Sequence, residues 1–166
     1  MMNDVCKKRA IKAFGYFCDT MGIDRKRVVL QFVDSGILNE NEGVESVYGD
    51  TETIACVEMP MGRRKRHYVY ISNREGISGD MVVESVAHEL VHVKQNMDGR
   101  LRCFGTSDVD MSYEFDGVKY DTFVNHMDYF TAPWEIEARL GSRKMVVEFN
   151  RYMRELGGYR VVKKLN

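Results

Sequence analysis

With only two prolines and no glycine- or serine-rich run, this chain of 166 residues carries nothing that marks a flexible linker or a low-complexity tail. Its length falls in the usual range of one domain, and 44% apolar residues suffice for a core, so a single domain over 1–166 is expected. Charge of one sign is missing too. The balance of 24 Lys and Arg against 25 Asp and Glu excludes the overall basic footprint of a dedicated nucleic-acid binder. No stretch approaches the roughly 20 apolar residues that cross a bilayer. Nor does the start resemble a secretory signal, because Lys7, Lys8 and Arg9 sit in an amphipathic pattern without an apolar core or a small-residue cleavage site. Cysteine is sparse: Cys6, Cys18, Cys56 and Cys103 form no CxxC pair, so free thiols in a reducing cytoplasm are expected.

What is present is clear periodicity. Val5, Ile11, Phe14, Phe17, Cys18 and Met21 recur mainly at three- and four-residue spacings before Gly22, which predicts a first helix over 3–21. The β-branched and aromatic run 28–33, ended by Asp34-Ser35-Gly36, predicts a strand. Runs at 44–48 and 52–58 flank Gly49-Asp50 like the arms of a hairpin, and 67–72 predicts another strand. From Ser78 the period becomes helical, with Val83, Val86, Leu90, Val93 and Met97 forming one apolar stripe that stops at Asp98-Gly99. Asp116-Gly117 between 113–115 and 118–120 is the strongest short hairpin signal. A last helix starts near Thr131 or Pro133 and runs towards Leu156, ahead of Gly157-Gly158. The expected fold is α+β: a helix, about four strands, a helix, a hairpin and a helix.

The chemistry-bearing segment is Ala87-His88-Glu89-Leu90-Val91-His92-Val93, an H-E-x-x-H on the second predicted helix. At 100° per residue both histidines lie about 160° from Leu90, on the face away from the apolar stripe. Neighbours four apart on a helix can offer two nitrogens to adjacent corners of a tetrahedron around Zn²⁺. Glu89 is rotated off the first ligand and can serve as general base. An ordinary solvated helix face would give the same pentapeptide, but two histidines and a glutamate in so apolar a stretch would be penalised on burial unless paired or metal-bound.

A catalytic zinc takes three protein ligands and leaves one position open. Asp98 has the offset for a third ligand after a glycine-induced bend, but position 95 is Gln, so Asp98-Gly99 reads as a helix stop. Glu135 and Glu137 both lie about 80° from the apolar stripe of the last helix, on opposite sides, and periodicity does not choose between them. In the first turn, Glu135 is favoured by the helix dipole without any metal. Glu137 sits deeper, beside Ala138 and Gly141, which are small enough for close helix approach, and is the preferred third ligand.

The segment His88-Glu89-Leu90-Val91-His92-Val93-Lys94-Gln95 followed by Pro133-Trp134-Glu135-Ile136-Glu137-Ala138-Arg139 resembles the small metallopeptidase-like proteins often encoded by bacteriophages. More broadly it is similar to minimal gluzincins, H-E-x-x-H proteins whose third zinc ligand is a glutamate on a later helix. That resemblance implies a zincin fold with a twisted, mostly antiparallel sheet packed on the metal helix, and a host cytoplasm if the chain is virus-encoded. It also supports Glu137, since the gluzincin glutamate commonly precedes an alanine. Gly141 stands where many gluzincins carry an acidic residue, so His88 or His92 must be oriented by another partner. The implied activity is peptide hydrolysis by metal-activated water with Glu89 moving the proton.

For the developing oxyanion, His126 and Tyr129 are candidates, against a solvent-exposed His and a packed Tyr. A substrate strand could add along 67–72 or 52–58. The run Gly62-Arg63-Arg64-Lys65-Arg66-His67, with Arg160, Lys163 and Lys164, could contact phosphates, although such runs are usually solvated turns. The alternatives to a peptidase are a catalytically silent zincin fold and a nucleic-acid-associated binding protein.

Overall fold

The computed structural model describes residues 1–34, 54–60, 65–104, 112–120 and 129–163, with side chains to Gly157. Helix α1, Asp4–Met21, is capped by the Asn3 side chain, which accepts from the Cys6 amide, and closes at Gly22 with φ 67. This left-handed residue favours glycine. A 3-10 turn, Arg25–Arg27, leads into β1, Val28–Val33. Strands β2, Ala55–Glu58, and β3, His67–Ser72, complete a sheet of order β1-β3-β2. Val28 pairs in parallel with His67, whereas Val57 pairs antiparallel with Val69.

Helix α2, Gly79–Met97, starts on the Ser78 side chain, which accepts from the Met81 amide. A second, antiparallel sheet follows: β4, Leu101–Phe104; β5, Ser112–Phe115; and β6, Val118–Tyr120. The β5-β6 turn has φ 50 at Asp116 and φ 81 at Gly117, the two positive values that a tight hairpin of this twist requires. Helix α3, Pro133–Lys163, opens on a proline, whose missing N–H is not needed there.

The fold is α+β, as expected; the sequence predicts one mostly antiparallel sheet of about four strands before the metal helix, and among the described residues the strands form two three-stranded sheets, the first of them mixed. Among the described residues three strands precede α2. The first hairpin arm, 44–48, and its Gly49-Asp50 turn lie outside the described residues; the other arm contains β2, which pairs with β3. Helix α3 runs past Gly157-Gly158 because glycine lowers helix stability by about 1 kcal/mol without blocking the helix as proline does.

Phe17 of α1, Val69 and Ile71 of β3, Val82, Val83, Val86, Leu90 and Val93 of α2, and Phe149 of α3 form a fully buried core. A second cluster lies under the second sheet, where Trp134 stacks on Tyr113 at 5.0 Å and meets Tyr120 edge-on at 5.2 Å. At Gly141 of α3 an added Cβ would lie 3.3 Å from Val91 Cγ2, so α3 meets α2 where only a small residue fits.

Candidate metal centre

One turn of α2 brings the His88 and His92 rings to 4.7 Å between centroids, with Nε2 atoms 3.1 Å apart. Glu135, in the first turn of α3, closes the triangle: Oε2 is 3.2 Å from His88 Nε2 and Oε1 is 3.0 Å from His92 Nε2. His92 and Glu135 are buried, while the His88 side chain is 21% exposed, so solvent reaches the cluster on that side. Burial alone would push the Glu135 carboxyl up, but the two imidazoles together hold it well below the usual carboxylate range. These two ring nitrogens and two carboxylate oxygens lie close enough together for one ion with ligand distances of about 2.0–2.2 Å to reach an atom of each residue. Two imidazoles and a carboxylate are a donor set suited to a divalent transition metal, zinc among them.

Glu135, not Glu137, stands beside the histidines, which corrects the preferred third ligand. Trp134 sets the rotation of α3 by burying its ring under the second sheet, and its neighbour Glu135 turns to α2. Glu137 faces Arg100 instead, whose Nη1 and Nη2 donate to Oε1 and Oε2 at 2.7 and 2.8 Å. The same guanidinium holds Asp116 at 2.8 Å through Nε and Nη2. Hydrogen bonding to Arg100 keeps the Glu137 carboxyl below its ordinary range. Two glutamates placed symmetrically about an apolar stripe cannot be told apart by period, and the cation that claims one of them sits on a separate element. Ala138 and Gly141 do permit close helix approach, as expected, but they serve Glu135.

Asp98 caps α2 and pairs with Lys94 at 2.5 Å, and Gly99 follows with φ 73, so this pair is a helix stop. Glu89 is buried, and its charge helps to raise the Tyr129 phenol. Tyr129 is half-buried among Tyr113, Phe130 and Trp134. Burial first, then Glu135, to which it hydrogen-bonds, pushes its pKa up. The other oxyanion candidate, His126, lies outside the described residues.

Two features escaped the sequence reading. Gln95 Oε1 lies 2.9 Å from His92 Nδ1, the orienting partner that the glycine at 141 left open. Its signal was the three-residue spacing from His92 on one helix face. Arg100 gave no signal, because its partners come from distant segments.

Of the two candidate strands for substrate addition, β3 is central and paired on both sides. β2 has a neighbour on one side only among the described residues. In the basic run, Lys65 and Arg66 are exposed and Arg63 and Arg64 lie outside the described residues. His67 is buried, with Nε2 2.8 Å from Asn96 Oδ1. No described helix is long and apolar enough to cross a membrane. No protein-family model, curated protein or solved structure matches this chain.

Proposed function

We propose that the chain is a zinc-dependent metallopeptidase of the minimal gluzincin kind, with a zincin-like fold, His88, His92 and Glu135 as ligands and Glu89 as general base. The observation that carries this reading is the convergence of His88 and His92 Nε2 and the two Glu135 carboxylate oxygens from two helices, with neighbouring atoms 3.0 to 3.2 Å apart, in a largely buried cluster. Such atoms repel unless a proton or a cation lies between them. A bound divalent ion supplies Lewis acidity there, polarising a peptide carbonyl and acidifying water. The chain's own part is positional and protonic. Glu89, one residue after His88, accepts a proton from the attacking water and passes it to the leaving amine, so the carboxylate is regenerated. Exposure of His88 gives substrate its approach. Tyr129 hydrogen-bonds Glu135 and holds that carboxylate towards the histidines.

Native mass spectrometry of zinc-supplied protein tests the site. The expected result is one zinc per chain in wild type and in Glu89→Gln, and none in Glu135→Ala. Against a peptide library, Glu89→Gln should then lose turnover by about 10²- to 10⁴-fold, the usual worth of a general base. Zinc retained without any cleavage by wild type would point to a silent zincin fold, and no zinc in wild type would leave a buried His–Glu ion network.

A further inference from the structure

We propose that Gln95 is the positioning residue of this cation site: its amide dictates which nitrogen of His92 faces the ion. The inference rests on reading His88, His92 and Glu135 as ligands, and it follows from donor and acceptor bookkeeping around one buried side chain.

A glutamine amide offers an oxygen that only accepts and an NH₂ that only donates. On one side, Gln95 Nε2 lies 3.2 Å from the Trp134 carbonyl oxygen, and the Glu137 carboxylate also takes a hydrogen bond from Gln95. Neither of those oxygens carries a proton, so the NH₂ must face them. The amide oxygen is then left for His92, and Oε1 lies 2.9 Å from Nδ1. Two acceptors cannot hold that distance without a proton between them, so Nδ1 carries the hydrogen and, in the neutral ring, Nε2 keeps its lone pair. Nε2 is the atom that lies 3.0 Å from Glu135 Oε1 and 3.1 Å from His88 Nε2. A neutral His92 therefore turns its lone pair, not its N–H, towards Glu135 and His88, where an ion would lie.

Reversing the amide would turn oxygen towards two acceptors, breaking both of those contacts, while NH₂ could meet Nδ1 only in the opposite tautomer. Gln95 is 2% exposed, so water cannot repair them, and each buried group left unpaired costs about 1–3 kcal/mol. The amide also joins the two ligand-bearing helices, since the Trp134 carbonyl belongs to the residue just before Glu135. Arg100 grips Glu137 with both nitrogens and so keeps that carboxylate where the Gln95 NH₂ meets it.

The test is ¹⁵N NMR of the metal-free protein at a pH where its imidazoles are neutral, with His92 assigned from the spectrum of His92→Gln. His92 should be the Nδ1–H tautomer in wild type, should lose that preference in Gln95→Leu and should keep it in Gln95→Glu, which retains an acceptor. Zinc affinity, measured by competition with a chromophoric chelator, should fall by about 10- to 100-fold in Gln95→Leu, the usual cost of removing a partner that orients a ligand. An Nε2–H tautomer in wild type overturns the proposal, as does a folded Gln95→Leu with unchanged tautomer and affinity. If Gln95→Leu does not fold, the tautomers of wild type and Gln95→Glu decide. Because the tautomer is read without metal, a protein that binds no zinc would defeat the metallopeptidase reading while the Gln95 result still stands or falls by itself.

Discussion

Helix α2 has two sides of opposite character. One presents Val83, Val86, Leu90 and Val93 to the core shared with α1 and the first sheet, all fully buried. The other holds His88 and His92 against Glu135, with Gln95 on His92 and Glu89 between the histidines in sequence, four of these five side chains buried and every one polar or charged. Burying a leucine stabilises a fold by about 1.5–3 kcal/mol, whereas burying polar groups costs free energy unless each finds a partner. The apolar side holds the helix in place; the polar side draws on that stability to keep His88 and His92 close to Glu135.

The sharpest break of this contrast is Leu90→Ala. Truncation of a fully buried leucine should lower unfolding free energy by about 2–5 kcal/mol in a denaturant titration, while the folded protein keeps its zinc. Loss of zinc without loss of stability would place the contrast on the wrong faces. A smaller effect comes from His67, a buried polar group on the apolar side. Burial lowers its pKa from 6.5 despite the hydrogen bond to Asn96. The unfolded chain therefore binds a proton below pH 6.5 that the folded chain refuses. Stability present above that pH is lost on acidification, by at most about 1.4 kcal/mol per pH unit, until the lowered folded value is reached. His67→Gln should flatten that part of the stability–pH curve, and an unchanged slope would count against it.

The smallest expected effect is that of Glu137→Ala. Its ion pair with Arg100 is more than a third exposed on both sides, so stability should change by less than about 1 kcal/mol, with zinc content unchanged. Zinc lost from Glu137→Ala but kept in Glu135→Ala would reverse the assignment of the third ligand.

The same contrast explains what could be read from the sequence. The stripe of α2, the run of β3 and the Asp116-Gly117 turn are local patterns, each set by residues within a few positions of one another. The spacing of His88 and His92 is local as well. By contrast, the parallel pairing of β1 with β3 joins Val28 to His67 across a long stretch of chain, and β4 has only four residues in which to show alternation. The choice of Glu135 over Glu137 depended on the roll of α3, which the burial of Trp134 and the Arg100 cation decide from outside the helix.

Gly141 gives that roll a mechanical reading. It lies six residues beyond Glu135 and its backbone rests against Val91, which stands between His88 and His92 on α2. A single methyl group there would act as a shim, prising α3 from α2 by a few tenths of an ångström. Metal sites tolerate about 0.2 Å in their ligand distances, so the missing side chain at Gly141 gauges the gap in which the proposed ion would fit.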